Sequence, residues 1–186
     1  MILAAGAFAA DEYAVDPVHS HVGFSVTHMV IAKIRGEFTT FSGTFLYDDK
    51  DVTKSSVKGK IGVSSITTAN DQRDTHLKSP DFFDAKTYPD ITFESKKITP
   101  SGDGYQVTGA LAMHGVTKEI AFPFKITGKV KDPWGNERIG IEAVLTLNRQ
   151  DYGVSWSKTL DSGGLVAGNE VQIDLSGEFI KQVNKK

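Results

Sequence analysis

Two neighbouring runs decide the fold: Tyr105-Gln-Val-Thr-Gly-Ala-Leu-Ala-Met113 and Ile120-Ala-Phe-Pro-Phe-Lys-Ile-Thr-Gly128. In each, apolar or small residues recur at every second position. Successive side chains of a strand point to opposite faces, so this alternation predicts strands with one buried face. The same period appears at Val22, Phe24, Val26 and His28, and at Val57, Gly59, Ile61 and Val63. It returns at Ile91, Phe93 and Ser95, at Ile139 through Leu147, and at Val171 through Phe179. With a further segment over 35–47, about eight strands are predicted. The turn signals Asp48-Asp-Lys-Asp51, Ser101-Gly-Asp-Gly104 and Asp132-Pro-Trp-Gly-Asn136 lie between runs and favour antiparallel hairpins. Long antiparallel strands with one apolar face are best satisfied by closure into a barrel, which removes exposed edges.

Composition agrees with an all-β fold and narrows the function. The 186 residues carry 18 Gly and 11 Phe against 2 Trp, a mix suited to twisted strands and tight turns. Cysteine is absent, which excludes disulfides, thiolate metal sites and thiol catalysis. Lys and Arg number 21 against 23 Asp and Glu, a net charge of -2, so the basic surplus needed to bind nucleic acid is missing. No stretch is long enough to cross a bilayer as a helix.

One segment, 68–86, departs from the alternation. Thr68 and Asp71 form a weak capping box, and Ser79-Pro-Asp81 reads as a helix start. Two short helices are expected here, at about 71–78 and 80–84, with Leu77, Phe82 and Phe83 buried. The N-terminal run Met1-Ile-Leu-Ala-Ala-Gly-Ala-Phe-Ala-Ala10 is apolar and contains the small-x-small pattern Ala7-Phe8-Ala9. It resembles the end of a secretory signal peptide without a basic leader. The expectation is a signal-peptide remnant over 1–10, one domain over 11–186, and an exported, periplasmic protein.

Motifs for chemistry are sparse. His19-x-His21 puts two imidazoles on one strand face, but a third ligand is lacking locally and a structural role is preferred, so no metal is expected. No nucleophile elbow, phosphate loop or dinucleotide fingerprint occurs, and no catalytic residue is assigned. Arg73-Asp74 and Arg149-x-Asp151 read as buried ion pairs that fix loops, or as contacts to a polar head group. His28 lies on the apolar face near a strand end, either as a satisfied core residue or as a polar contact for a ligand.

What remains is the barrel interior. Gly59, Gly109, Gly128 and Gly177 fall on predicted inward faces and supply no volume, which suggests open space; bulges or close packing are the other reading. A barrel of about eight strands has room for one small ligand, or fills with its own side chains. Burying roughly a dozen methylenes at about 0.8 kcal/mol each gives on the order of 10 kcal/mol, without any catalyst.

At this level the chain resembles the YceI family of bacterial polyisoprenoid-binding, lipocalin-like proteins. The carriers are Asp16-Pro-Val-His-Ser20, Val22-Gly-Phe24, His28-Met29, Gly36-Glu-Phe38 with Phe41 and Gly43, and Arg73-Asp74-x-His76-Leu77. They continue with Ser79-Pro-Asp-Phe-Phe-Asp84, Tyr88-Pro89, Phe93-x-Ser95, Gly109-x-Leu111, Gly115-Val-Thr117 and Arg149-x-Asp-Tyr-Gly153. The resemblance covers nearly all of 13–180. It implies an extended eight-stranded antiparallel lipocalin-like barrel with a helical insertion between strands three and four. It also implies a polyisoprenoid ligand, such as a polyprenyl phosphate or a ubiquinone tail, carried or stored in the interior, and homodimers in several members. No cofactor beyond that lipid or quinone is implied. The ligand-binding residues carried over are Phe24, His28, Phe38, Phe41, Leu77, Phe82, Phe83, Phe93 and Leu111, with Trp156 at the barrel mouth. The apolar loop over 29–34 offers a gate to the interior or a surface for a second subunit. A quinone-processing enzyme using His28 or Arg149 is the alternative reading.

Overall fold

The computed structural model of the protein describes residues 10–183. The strands are β1 (Asp11–Val15), β2 (His21–His28), β3 (Ala32–Phe38), β4 (Phe41–Tyr47), β5 (Ser56–Gly62) and β6 (Ile66–Thr67). They continue with β7 (Asp90–Ser101), β8 (Gly104–Met113), β9 (Val116–Lys131), β10 (Glu137–Asn148) and β11 (Ala167–Lys181). All pairings between them are antiparallel. β1 pairs with both β4 and β11, and that double pairing closes the sheet.

Three strands are broken in the middle. A 3-10 turn, Pro17–His19, separates β1 from β2, Thr39 and Thr40 separate β3 from β4, and Val63–Ser65 separates β5 from β6. β11 spans the first break, with Val171 to Ser176 facing β2 and Phe179 to Lys181 facing β1. The eleven segments therefore form eight long staves of an up-and-down barrel. The helix α1 (Asp71–Lys78) is inserted between the third and fourth. This is the closed, eight-stranded, lipocalin-like antiparallel barrel expected from the alternation and the family resemblance.

Several local expectations are corrected. β1, whose inward apolar residues are only Tyr13 and Val15, is not among the expected strands, yet Tyr13 is fully buried and packs edge-on against Tyr47. The loop expected over 29–34 is a turn at 29–31, and Ile34 already belongs to β3. α1 is capped by Asn70, whose side chain accepts from Arg73 N, and not by Thr68. The second helix does not form. Ser79 ends α1, and the chain then folds back so that Phe83 N donates to Leu77 O and Ala85 N to Lys78 O. Those bonds satisfy the carbonyls at the end of α1, and a five-residue segment is too short to offset the cost of nucleating its own helix.

Two bulges change which residues face inward. In the β7–β8 ladder Ser95 faces Gly109 and Lys97 faces Thr108, leaving Lys96 unpaired. This switches the inward set from odd to even positions and buries Ile98. In the β9–β10 ladder Ile126 faces Ile141 and Gly128 faces Gly140, leaving Thr127 as the extra residue. Gly128 thus turns outward and is exposed, contrary to expectation, while Lys129 turns in over the Tyr47 ring.

The core lies in two parts. At one end of the barrel Tyr13, Phe45, Ile98, Val107, Phe122, Phe124, Ile139 and Ala143 pack together. At the other, Phe38, Val63, Ile66, Ile91, Leu111 and Tyr152 seat Leu77, Phe83 and Ala85 of the helical insertion. Each fully buried Val, Leu, Ile or Phe among them contributes about 1.5–3 kcal/mol by leaving water.

Candidate ligand-binding cavity

Between these packed regions the barrel encloses a cavity of about 490 Å³. That lies within the range of roughly 300–1,000 Å³ found for small-molecule sites. Its inner limit is set by Phe45, Val107, Phe124 and Phe179, behind which Tyr13, Ile98 and Ile139 are almost wholly buried. Val22, Val26, Ile34, Ile141, Leu145, Val171, Ile173 and Leu175 supply much of the side wall. Each comes from the inward set of its strand, so the alternation that forms the sheet also makes the wall apolar.

All ten residues singled out from the sequence lie on this wall: Phe24, His28, Phe38, Phe41, Leu77, Phe82, Phe83, Phe93, Leu111 and Trp156. They divide by position. Phe24 and Phe38 meet with ring centroids 5.8 Å apart, and Phe83 stands edge-on to Phe38 at 6.1 Å. Phe93 packs deeper, 5.3 Å from Phe122. Around the helical insertion Phe82 lies 5.1 Å from Trp156, and His76 stands edge-on to both. The His76 ring also meets Asp81 Oδ2 at 2.9 Å. This cluster ties the helix, the turn after it and the segment around 156 into one roof.

The wall also includes Phe122, Phe124, Phe179, Val107 and the paired glycines Gly43 and Gly59. These stood in the alternating runs or in a quoted motif but were not assigned to the site. The period-two pattern itself was the signal that places the phenylalanines inward.

The glycines behave differently from one another. A Cβ built at Gly59 would meet no heavy atom within 4 Å, so this position opens onto the cavity. At Gly109 a Cβ would come within 2.6 Å of the Phe93 ring and 2.5 Å of Glu94 O, so this glycine allows close packing and leaves no space. Gly177 lines the cavity but lies against Phe179. Of the four expected to hold space open, only Gly59 does so on the cavity wall.

The charged residues of the site are not ion-paired in the expected way. Asp74 and Arg73 both turn to Thr68: Arg73 Nε donates to Thr68 Oγ1 at 2.7 Å, and Thr68 N donates to Asp74 Oδ1 at 2.8 Å. Burial opposes ionisation of Asp74, but the bonds from Thr68 and Thr67 prevail and hold its pKa below the ordinary value. Arg149 is almost fully buried and lines the cavity. Its guanidinium donates to the carbonyls of Val154 (2.6 Å), Gly168 (2.8 Å) and Ala167 (3.1 Å). Asp151 pairs instead with Lys118. Arg149 therefore anchors the segment 154–168 to the barrel through backbone carbonyls, and burial lowers its pKa. His28 lines the cavity, half-buried.

The two histidines weighed as metal ligands diverge, His19 meeting Asp16 at 2.9 Å and His21 meeting Glu37 at 3.0 Å. Asp16, His19 and Glu178 do converge. Arg138 already supplies the cation there, at 2.8 Å from Asp16, 3.0 Å from Glu178 and 2.9 Å from Asp132. Hydrogen bonds from His19 and Arg138 hold Asp16 at a pKa of about 2.

The comparisons with known proteins agree with this architecture. The chain is 37% identical to a UPF0312 protein of Pseudomonas putida over 97% of its own length and 92% of that protein. It is 34% identical to a UPF0312 protein of Yersinia pestis over 97% and 92% of the two chains. Among solved structures, Burkholderia cenocepacia BcnA superposes with a TM-score of 0.78 at 27% identity, over 88% of this chain and 98% of that one. A polyisoprenoid binding domain from Saccharophagus degradans shares the fold at TM-score 0.64 and 17% identity, over 91% and 98%. The YceI-like domain matches residues 13–179, the whole barrel from β1 to β11, and the chain belongs to that family.

Proposed function

We propose that this protein binds a long-chain isoprenoid lipid, a polyprenyl phosphate or a ubiquinone-type tail, and carries or stores it after export to the periplasm. The observation that carries the reading is the cavity of about 490 Å³, walled by phenylalanines and aliphatic side chains and widened at Gly59. Such a wall rewards a hydrocarbon chain and offers little to a polar solute. Membership of the YceI-like family supports it, as does the polyisoprenoid-binding description of the Saccharophagus degradans domain that shares the fold.

The tail enters past Phe82 and Trp156 and lies against Phe24, Phe93 and Leu111, while the polar head stays near His28 and Arg73. Binding alone meets the need, since a carrier must desolvate the tail and release it unchanged. No observation favours catalysis on a quinone head. Of the two residues weighed as its proton donor, His28 and Arg149, the second has its guanidinium engaged by carbonyls.

The test is native mass spectrometry of protein exported by a bacterial host, followed by organic extraction and lipid identification. A stoichiometric prenyl lipid or quinone supports the reading. Protein that stays lipid-free, and takes up no prenyl alcohol when titrated with one, refutes it.

A further inference from the structure

Among the described residues, one run of consecutive large hydrophobic side chains is exposed: Met29 at 41%, Val30 at 65% and Ile31 at 87%. It forms the tip of the β2–β3 hairpin, directly after His28 of the cavity wall. Met29 and Val30 have φ of 49° and 67°, and Ile31 N donates to His28 O, so the tip is a tight turn with two left-handed residues. Asn and Gly suit such positions, and a β-branched valine is strained there. Neither folding nor solubility calls for Met-Val-Ile at this site.

A second tip stands beside it. Met29 N donates to Val166 O and Val166 N donates to Lys158 O, so the segment 158–166 runs alongside the hairpin end. Val30 leans on Gly164, where a Cβ would meet its Cγ2 at 2.6 Å. Val166 of this second segment lines the cavity, as do Trp156 just before it and Ala167 just after it. The charged residues of 28–35 and 157–168 are Lys33, Arg35, Lys158 and Asp161, a local excess of positive charge in a chain whose net charge is -2. Lys33, Arg35 and Lys158 are exposed.

We propose that the Met29–Val30–Ile31 tip, flanked by Lys33, Arg35 and Lys158, docks the cavity mouth onto an anionic phospholipid bilayer. Apolar side chains inserted at the headgroup boundary and basic residues facing anionic lipid form a two-part membrane signal. A second copy of the chain is the rival occupant. A stable protein interface needs about 800 Å² from each partner, more than three side chains on one turn provide. The proposal deepens the lipid-binding reading and rests on it for the cargo, since docking here sets the mouth against the source of an isoprenoid.

The test is cosedimentation of the whole chain with vesicles of equal parts phosphatidylglycerol and phosphatidylcholine. It compares wild type with Ile31→Glu and with Lys33→Glu/Lys158→Glu. Ile31→Glu is expected to lower partitioning about tenfold or more. Each basic residue removed is expected to cost about fivefold, an effect abolished in pure phosphatidylcholine. Uptake of a fluorescent prenyl alcohol without vesicles is measured in parallel and should be unchanged in every variant. Wild type that does not sediment, or Ile31→Glu that sediments like wild type, overturns the proposal. So does a wild-type dimer that Ile31→Glu converts to monomer with no vesicle binding, since the tip then belongs to a second copy. Vesicle binding that is intact while wild type takes up no prenyl alcohol would instead sink the lipid-carrier reading and leave the docking surface standing.

Discussion

Gly59→Phe tests the cavity most directly. Gly59 lies between Gly43 on β4 and Phe93 on β7, and its missing Cβ faces open space. A cavity of about 150 Å³ accommodates a benzene ring, so the new ring takes roughly a third of the 490 Å³ available. If a bound tail buries about a dozen methylenes there, about four lose their place. At about 0.8 kcal/mol each the loss is about 3 kcal/mol, or a hundredfold in Kd. Stability should hold or rise, because a glycine in a strand interior is replaced by an aromatic that packs against apolar walls. The assay is titration with a fluorescent prenyl alcohol, alongside thermal unfolding by circular dichroism. Gly109→Phe is the control: its Cβ collides with Glu94 O and the Phe93 ring, and it should lower Tm sharply. Unchanged prenyl affinity in a folded Gly59→Phe protein would refute the placement of the tail.

Arg149→Met leaves the carbonyls of Val154, Ala167 and Gly168 without their donor. It should destabilise the protein by about 3 kcal/mol or more in urea unfolding and loosen the segment 154–168. Asp16 has a native pKa of about 2 against an ordinary 3.8. Its contribution to stability is therefore full above the ordinary value and is lost as pH falls through the native one. Asp16→Asn should flatten the acid limb of a Tm-versus-pH curve between those two values. Trp156→Ala removes the ring that closes over Phe82. An aromatic pair of about 1 kcal/mol implies several-fold faster ligand release in a stopped-flow displacement assay, with a smaller change in the association rate.

Of the ten wall residues, Phe24, His28, Phe93 and Leu111 are legible because burial on a strand face follows a local period of two, whereas Phe38, Phe41, Leu77, Phe82, Phe83 and Trp156 are legible only from the helical segment or from the family motifs and their surroundings. The same pattern named Phe122, Phe124 and Phe179, which were passed over because they lay outside the quoted family motifs. The hairpin at His114 and Gly115 was less legible, since His at φ 51° stands where Asn or Asp usually signals such a turn. β1 is not legible because a strand of five residues, Asp11-Glu-Tyr-Ala-Val15, puts only Tyr13 and Val15 inward, too few for a repeat to show. The ion pairs assigned to Arg73 and Arg149 failed for a common reason. Adjacency in sequence does not say which distant carbonyl or hydroxyl a guanidinium reaches.

Alternation, turn chemistry and family motifs settled in advance that the chain forms an eight-stranded antiparallel barrel with an apolar inner face and a helix after the third strand. These are properties of neighbouring residues, set by backbone geometry and solvent. Closure through β1 and β11, the bulges at Lys96 and Thr127, and the choice of Gly59 over Gly109 and Gly128 as open space were decided by tertiary structure. Each depends on the register between strands far apart in the chain, and a shift of one residue in that register exchanges inside for outside.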